Sequence, residues 1–487
     1  MNAAGRPASG WEMVVGLEVH VQLRTVTKAF CACSAAVGAP PNENTCPVCL
    51  ALPGALPVLN DTAVGLALRA ALALGCTVHE TSVFSRKNYF YPDLPKGYQI
   101  SQFDKPLATA GVLDILAGDA ALRVGITRVH MEEDAGKSIH DRFDGATAID
   151  LNRAGVPLIE IVSEPDMRSS AQAGAYLRAL KLVLEYADVS DCSMELGSLR
   201  VDANVSARPA GSTELRSRTE IKNVNSFSAV EKALDFEFAR HCRTYEAGGT
   251  IAQQTMLWDA SKHEVRPARS KEGSHDYRYF PEPDLPPLVV SHARIDRVRQ
   301  ALPELPAAKR ERFQREFGLA PAEAGVLVAN AGLSRYYEAV AAESNQPKAA
   351  ANWVSTAVLQ ALTERDLDPA DAAQVIAPGA LAEIVSLAAA GTISNSAAKT
   401  VFAALLASPG KSPAEIVAEQ GLAQVSDDRA LSGWIDDVLA EHPDEARRFA
   451  GGETKLQGVL VGFVMKKSKG SADPRKVNQL LATRASV

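Results

Sequence analysis

Three consecutive carboxylates, Glu132, Glu133 and Asp134, lie in the run His130–Ser138 beside a histidine, a lysine and a serine. Adjacent like charges repel, and a protein interior rarely holds them unless each has a partner. A divalent cation is a common partner for crowded carboxylates, and hard oxygen ligands suit Mg²⁺. The alternative is an acidic turn on a solvated surface, and the run alone does not decide between the two.

Two apolar segments that are typical of strands carry further charged side chains. Glu18 and His20 lie two residues apart, so on a strand they face the same way. Glu160 lies among apolar neighbours in Leu158–Glu164, where a half-buried carboxylate is unfavourable without a counter-charge. Together with the acidic run, these residues predict one shared Mg²⁺ site, although each pair alone is more typical of an exposed strand face.

Cys31 and Cys33 are followed by Cys46 and Cys49, which is a spacing typical of metal sites. Zinc takes four thiolates at the corners of a tetrahedron, and two short cysteine pairs can supply them. Because all four ligands are cysteines, we expect a closed structural zinc site with no open position for catalysis. Coincidental clustering is the alternative.

Phosphate ligands require donors as well as a metal. Arg86, Lys87 and Asn88 supply a guanidinium, an ammonium and an amide, although each is equally typical of a surface loop. Further polar candidates are Arg200 and Asn204 near Asp202, and 222–226. The segment Ala135–Ser138 resembles the end of a P-loop, but Met131 stands where the first glycine is required, so no Walker A motif is present.

The C-terminal segment is basic, although the chain as a whole has a net charge of −7. Residues 451–487 hold seven lysines and arginines against two acidic residues. Five of these cations surround the turn Gly470–Pro474: Lys466, Lys467, Lys469, Arg475 and Lys476. A nucleic-acid backbone suits such a cluster, and a solvated face is the alternative.

The length of 487 residues predicts about three domains, and composition places their boundaries. Residues 1–10 are expected to form a flexible N-terminus. Residues 11–293 show an α+β pattern of short alternating strands, such as Leu122–Val129, with two helices, Asp61–Leu74 and Ser170–Tyr186. Proline-rich Phe280–Pro287 ends this part, and two all-α domains are predicted to follow, at 294–407 and 411–487. Asp368–Pro369 and the capping box Ser412–Glu415 predict helix starts within them.

The chain carries no signal-like N-terminal segment, and its longest apolar helix candidate, Val64–Cys76, is interrupted by Arg69 and too short to span a bilayer. Seven cysteines, an odd number, fit a reducing compartment better than a disulfide framework. We therefore expect a cytoplasmic protein with no membrane partner.

Long motifs spread along the chain carry a resemblance to a known family. They are Val15–Leu23, Arg86–Asp93, Tyr98–Asp104, His130–Ser138, Asp150–Arg153, Pro157–Pro165, Gly197–Asn204 and Asp276–Pro283. Together they resemble the B subunits of tRNA-dependent amidotransferases, over essentially residues 11–487. The resemblance implies an antiparallel-sheet cradle domain, a helical domain and a small helical tail domain.

The resemblance also implies a reaction. ATP and Mg²⁺ phosphorylate the side-chain carboxylate of Glu or Asp on misacylated tRNA(Gln) or tRNA(Asn), and ammonia then displaces the phosphate. The ammonia comes from glutamine through an amidase A subunit, and a small C subunit completes a heterotrimer. This chain lacks a visible Ser–Ser–Lys amidase signature, so it should not hydrolyse glutamine alone.

Site residues follow from the same resemblance. The implied catalytic residues are Glu18, His20, Lys87, Glu133, Glu160 and Asp202. Of these, His20, Glu133 and Glu160 are the expected Mg²⁺ ligands. The expected ATP-binding residues are Arg86, Lys87, Asn88 and Asn204. The cysteine pairs match the zinc-bearing members, and the basic tail is expected to contact the body of the tRNA. The alternatives are a noncatalytic tRNA-binding adaptor and, less favoured, a Mg²⁺-dependent nuclease.

Overall fold

The structure is a computed structural model that describes residues 10–118, 120–268, 277–408, 410–425, 427–468 and 470–485. The predicted flexible N-terminus therefore lies outside the described residues, except for Gly10. The chain divides into two units, the first ending at Pro306 and the second beginning at Ala307. The domain boundaries predicted at 293 and 407–411 stay predictions.

The first unit contains all of the described strands and four helices. The strands are β1 (Trp11–Gln22), β2 (Thr77–Val78), β3 (Thr81–Ser82), β4 (Phe84–Asn88), β5 (Tyr98–Gln102), β6 (Ala108–Ala117), β7 (Ala120–Glu133), β8 (Lys137–Phe143), β9 (Ala146–Asp150), β10 (Pro157–Ser163), β11 (Leu199–Pro209), β12 (Thr219–Val224), β13 (Gln254–Asp259), β14 (Glu264–Pro267), β15 (Phe280–Pro281) and β16 (Leu288–Val289). The helices are α1 (Asp61–Ala73), α2 (Ser170–Tyr186), α3 (Phe227–Glu246) and α4 (His292–Gln300).

Nine strands form one sheet in the order β14-β13-β12-β11-β1-β10-β7-β6-β2. All neighbours in it are antiparallel except β12 and β13, which are parallel. Three smaller sheets join β15-β4-β5, β16-β3 and β8-β9. The α+β prediction is confirmed, with one parallel pair in an otherwise antiparallel main sheet.

The main sheet has one apolar and one polar face. In β1, Leu17, Val19 and Val21 are buried, whereas Glu18 and His20 point the other way, as strand alternation requires. The apolar face packs against α1, α2 and α3 in one hydrophobic core. Helix α3 was not predicted from the sequence; it is a charged helix whose buried residues keep helical spacing. Because the helices cover one face, the polar face is left to carry the chemistry.

The described part of the second unit is helical. Its helices are α5 (Pro306–Phe317), α6 (Pro321–Val328), α7 (Ala331–Ser344), α8 (Pro347–Trp353), α9 (Leu359–Thr363), α10 (Ala372–Val375), α11 (Pro378–Ala389), α12 (Asn395–Ala407), α13 (Pro413–Gln420), α14 (Asp428–Glu441), α15 (Pro443–Ala450), α16 (Gln457–Lys467) and α17 (Pro474–Ala485). A π-helical turn (Val354–Val358) joins α8 to α9, and short 3₁₀ turns lie at Pro369–Asp371 and Thr454–Leu456.

Two separate hydrophobic clusters organise these helices. One surrounds Phe313 and Tyr337, and the other surrounds Ile435 and Leu460. Within the described residues, no single helix is long and apolar enough to cross a membrane. One pair of helices bent by 75°, Pro369–Val375 with Pro378–Ala389, passes that test only when taken together.

Candidate active site

One row of side chains crosses the polar face of the main sheet. His20 on β1 pairs with Arg200 on β11 and with Glu160 on β10, which in turn pairs with His130 on β7. Residues directly opposite on neighbouring strands project to the same face and come within contact distance. The Glu160 carboxylate accordingly lies between two imidazoles, with Oε2 at 3.3 Å from Nε2 of His20 and 3.4 Å from Nε2 of His130.

Glu132 completes a cluster of possible metal ligands. Its Oε1 lies 3.5 Å from Nε2 of His20, and the donor atoms of His20, Glu132 and Glu160 lie within 4.8 Å of one another. Burial lowers the pKa of His20, but the hydrogen bond to Glu160 and the nearby carboxylates outweigh it and raise the pKa to about 9. Two carboxylates and an imidazole, held on neighbouring strands, form a donor set that fits a divalent cation, which would displace the imidazole proton on binding.

Glu133, which the sequence analysis chose as a magnesium ligand, does not join this cluster. It follows Glu132 in β7, so strand alternation turns its side chain to the opposite face. There its Oε1 accepts a hydrogen bond from the backbone N–H of Ile100 at 2.9 Å and contacts the ammonium of Lys96. The structure therefore brings Glu132, and not Glu133, to the predicted metal position. Lys96 was not among the predicted residues.

Lys87 faces the same cluster from β4. Its ammonium lies 4.9 Å from the centre of the Tyr277 ring. Burial lowers the pKa of Lys87, but the charges of Glu132 and Glu160 outweigh it and raise the pKa, so the ammonium remains charged. The same two carboxylates add to the raised pKa of Tyr279, whose main cause is burial. Lys87 is thus a cation beside the carboxylates, and its role as a phosphate donor stays a prediction.

The two neighbours of Lys87, also predicted to bind ATP, are engaged elsewhere. The guanidinium of Arg86 donates two hydrogen bonds of 2.8 Å to the buried carboxylate of Glu282. The Asn88 amide donates to the backbone oxygens of Tyr277 at 3.1 Å and Arg278 at 2.8 Å. These contacts hold the segment that carries Tyr277 against β4. Arg86 and Asn88 thus support the segment beside the site, and their role in binding ATP stays a prediction.

A second acidic group lies along the same face. Glu18, Asp202 and Glu220 bring carboxylate oxygens within 4.8 Å of one another. The ammonium of Lys222 lies 2.6 Å from Asp202 and 3.0 Å from Glu220, and the Asn204 amide donates to Glu18 at 3.0 Å. Burial, and then the charge of Glu160, raise the pKa of Glu18. The predicted residues Glu18, Asp202 and Asn204 therefore lie together, next to the His20 row.

Asp134, the last carboxylate of the acidic run, closes one end of the site. Its Oδ1 lies 2.9 Å from Nη2 of Arg200, and its Oδ2 accepts a hydrogen bond of 2.9 Å from the Gln22 amide. The guanidinium of Arg153 lies 3.5 Å from the same Oδ2. Two guanidiniums at one carboxylate leave positive charge at the end of the polar face, where an anionic substrate would approach.

The four predicted zinc ligands come together on their own loop. The sulfurs of Cys31, Cys33, Cys46 and Cys49 lie within 4.8 Å of one another, with Cys49 at 3.6 Å from Cys31 and 3.8 Å from Cys46. A tetrahedron with Zn–S bonds of about 2.3 Å has sulfur-to-sulfur edges of about 3.8 Å. A hydrogen bond from Cys31 and the charge of Lys28 lower the pKa of Cys49 to about 4. The donor set fits zinc.

The basic cluster near the C-terminus is partly neutralised by α14. The Lys467 ammonium lies 3.0 Å from Asp437 and 2.7 Å from Glu441. Lys476 lies 3.3 Å from Asp428. These two lysines therefore hold α16 and α17 to α14, which the sequence analysis did not foresee.

Two other members of the cluster face solvent. Lys466 and Arg475 are exposed, and neither has an ion pair within the part of the chain that the structure describes. Lys469 lies outside the described residues. Of the five predicted cations, two are thus exposed and two are paired with α14, and contact of the cluster with a nucleic acid stays a prediction.

Comparison with known proteins adds the family. Residues 13–296 match the family described as the GatB/GatE catalytic domain, and residues 335–484 match the GatB domain. The B subunit of the aspartyl/glutamyl-tRNA(Asn/Gln) amidotransferase from Prosthecochloris aestuarii is 51% identical over 471 residues, 97% of each chain. Proteins of the same name from Solidesulfovibrio magneticus and an Anaeromyxobacter species are each 50% identical, over 97% and 98% of this chain and 98% and 99% of theirs. The chain belongs to the GatB family of amidotransferase subunits.

Proposed function

We propose that this chain carries the ATP- and Mg²⁺-dependent active site that converts Glu-tRNA(Gln) to Gln-tRNA(Gln), Asp-tRNA(Asn) to Asn-tRNA(Asn), or both. The family makes it a subunit of a glutamine-dependent ligase that acts in a complex. The observation that carries the proposal is the cluster of His20, Glu132 and Glu160 on the open face of the sheet, with Lys87 beside it.

The reaction has two steps. An oxygen of the substrate carboxylate attacks the γ-phosphorus of ATP, so that an acyl phosphate forms and ADP leaves. Ammonia then attacks the acyl carbon, the carbon–oxygen bond to phosphate breaks and phosphate leaves with its electron pair, and the nitrogen loses a proton to give the amide. The phosphoryl step depends on positioning and charge neutralisation more than on covalent chemistry by the protein.

The side chains divide this work. His20, Glu132 and Glu160 would hold Mg²⁺, which supplies charge neutralisation at the phosphates when bound. Lys87 and Arg200 provide fixed positive charge on either side of that position, and Glu18, Asp202 and Asn204 extend the polar face. Because the apolar face of the sheet is rigidly packed, the cross-strand row holds these groups in one geometry.

The proposed partners follow the family. An amidase A subunit supplies ammonia and a small C subunit completes a heterotrimer, while the exposed cations of the helical tail contact the tRNA. We place the complex in the cytoplasm, where misacylated tRNA is found. The four-cysteine loop holds a structural zinc ion.

The test uses the complete complex with ATP, Mg²⁺ and Glu-tRNA(Gln), and compares Glu132→Gln with Glu133→Gln. Glu132→Gln should lower the rate of tRNA-dependent ATP cleavage by about 10²-fold or more, while tRNA binding is retained. Glu133→Gln should keep the wild-type Mg²⁺ requirement, because its carboxylate faces away from the cluster. Glu195→Gln, at an exposed carboxylate, is the control.

Other outcomes distinguish the alternatives. If the Mg²⁺ requirement rises in Glu133→Gln and not in Glu132→Gln, the assignment of Glu132 as a ligand is wrong. If both variants amidate normally, the chain is a noncatalytic tRNA-binding adaptor. RNA cleavage without ATP would indicate a nuclease instead.

A further inference from the structure

Lys28 is a fully buried lysine next to the four-cysteine loop, with 0% of its surface exposed. Its ammonium donates to the backbone oxygens of Asn44 at 2.7 Å and Leu151 at 3.2 Å, and to the sulfur of Cys49 at 3.4 Å. Among the described residues, no carboxylate forms an ion pair with it. A buried ammonium is unfavourable without a compensating charge, so the sulfur it contacts must supply one.

The four-cysteine site has the charge that Lys28 lacks. Four thiolates around one Zn²⁺ carry a net charge of about −2, since each zinc-bound cysteine is deprotonated. The contact between the Lys28 ammonium and Cys49 therefore pairs a buried cation with a buried anionic site. Partners that donate hydrogen bonds to metal ligands typically change metal affinity by about 10- to 100-fold.

The segment between the two cysteine pairs also forms hydrogen bonds with residues 149–152. The Asn42 side-chain oxygen accepts a hydrogen bond from the backbone N–H of Leu151 at 2.7 Å, and its amide donates to Ile149 at 2.9 Å. In the opposite direction, the Asn152 side chain accepts from the backbone N–H of Asn44 at 2.8 Å and donates to Pro40 at 2.7 Å. One asparagine from the cysteine loop and one from this segment thus each form two hydrogen bonds with the backbone of the other.

The chain that follows residues 149–152 contacts the active site directly. The Arg153 guanidinium donates to the backbone oxygens of Ala135 at 3.0 Å and Gly136 at 2.6 Å. The backbone N–H of Gly155 donates to the backbone oxygen of Asp134 at 2.8 Å, and the backbone N–H of Asp134 donates to the backbone oxygen of Val156 at 2.8 Å. The end of the acidic run is therefore held by residues that directly follow the segment bound by the cysteine loop.

We infer that the four-cysteine site positions the acidic run of the active site, and that Lys28 and Asn152 are the positioning residues that join the two. Lys28 balances the charge of the thiolates and binds the Leu151 carbonyl, while Asn152 transmits the position of the loop. The zinc would then act on catalysis only through the placement of Asp134 and its neighbours. This inference rests on the proposed function for its effect on activity, but not for its effect on metal binding.

The first experiment measures zinc release from the purified complex into a chelating dye. Wild type should contain about one zinc per chain. Lys28→Met, which keeps most of the stem and removes the charge, should release zinc about tenfold faster or more. Lys28→Arg should release it more slowly than Lys28→Met because the charge is retained. Lys105→Met, at an exposed lysine, should match wild type. Release at the wild-type rate from Lys28→Met would overturn the charge-balancing role.

The second experiment measures Mn²⁺ binding by paramagnetic resonance, before and after zinc removal with a zinc-selective chelator. Zinc removal and Asn152→Ala should each weaken Mn²⁺ binding at the active site severalfold, although Asn152→Ala keeps its zinc. Unchanged Mn²⁺ affinity after zinc removal would overturn the positioning role. Because Mn²⁺ affinity is measured without ATP or tRNA, this test of the positioning role remains valid even if tRNA-dependent ATP cleavage is absent and the proposed function is wrong.

Discussion

Three adjacent carboxylates are stable inside this protein because each has a different cation beside it. Glu132 lies next to His20, Glu133 contacts Lys96, and Asp134 lies next to Arg200. Each of the three residues is no more than 4% exposed. The crowding that marks the sequence is therefore resolved by three separate ion pairs in directions set by the backbone.

Removing Lys96 should show how much the ion pair with Glu133 contributes to the free energy of unfolding. Lys96→Met leaves the Glu133 carboxylate buried without a counter-charge, which should destabilise the first unit by about 3 kcal/mol. Adding Glu133→Gln to that variant should recover a large part of the loss, because the unpaired charge is then absent. Urea unfolding of both variants measures the difference. Equal destabilisation of the single and double variants would contradict this account.

A second buried pair makes stability depend on pH. Burial raises the pKa of Glu237 on α3, but hydrogen bonds from Arg240 and His241 outweigh it and lower the pKa to about 2, from an ordinary value of 4.5. A carboxyl whose pKa is lower in the folded state stabilises it above the unfolded pKa. That contribution, about 3 kcal/mol, is lost as the pH falls from about 4.5 to about 2.

Glu237→Gln removes this contribution. The free energy of unfolding of wild type should exceed that of the variant by a margin that is constant from pH 7 to pH 5 and shrinks by pH 3. Urea unfolding at each pH measures the margin, with Glu246→Gln, at an exposed position of the same helix, as the control. A margin that does not change with pH would show that Glu237 is not the titrating group.

At the scale of elements, the sequence predicted the α+β class, several of the strands and two of the helices of the first unit, but it did not predict which face of each strand is buried. Predicted strand Leu122–Val129 is part of β7, which extends to Glu133. In β7 the buried positions change from Val124 and Ile126 to Val129 and Met131, because the register with β10 shifts by one residue between Val162 and Ser163. No local residue pattern marks such a bulge.

This shift explains which site residues the sequence could predict. His20 and Glu160 lie in strands with regular alternation, so their shared face follows from spacing two. The choice between Glu132 and Glu133 depends on which of them faces the polar side of the sheet. That orientation is set by the bulge earlier in β7, which the sequence does not reveal. Lys96 lies in a loop that reaches Glu133 only through tertiary packing, and it has no sequence signal.

Helix starts were predicted more securely, because their signals are local. Ser412 accepts a hydrogen bond from the backbone N–H of Glu415 at 3.2 Å, and the Glu415 carboxylate accepts one from the N–H of Ser412 at 2.7 Å. The capping box predicted from sequence is therefore confirmed at the start of α13.

Ser412→Ala should destabilise the second unit by about 1 kcal/mol, because a first-turn N–H loses its partner. Ser396→Ala, at an exposed position inside α12, should change stability by less than about 0.5 kcal/mol. Thermal unfolding compares the two variants. Equal effects would show that the capping hydrogen bonds contribute nothing measurable at this surface position.

At the scale of the whole molecule, an acidic chain that binds tRNA as proposed must do so through local charge. The net charge is −7, and α14 takes up part of the basic cluster through Lys467 and Lys476. Lys455 is a further exposed cation of the described tail, but within the basic cluster the described exposed cations are Lys466 and Arg475. Binding should depend on these two residues more than on the total number of basic residues.

The salt dependence of tRNA binding by the complex tests this division of the cluster. Replacing both Lys466 and Arg475 by alanine should weaken binding and reduce the slope of log affinity against log salt by about 1.4, roughly 0.7 for each lost contact if the contacted strand behaves as single-stranded. Lys467→Ala should leave the slope nearly unchanged and lower thermal stability instead, since its ammonium holds α16 to α14. If Lys467→Ala reduces the slope as much as the double variant does, the lysine exchanges its carboxylate partners for phosphate on binding, and the ion pairs with α14 are competitors of the tRNA.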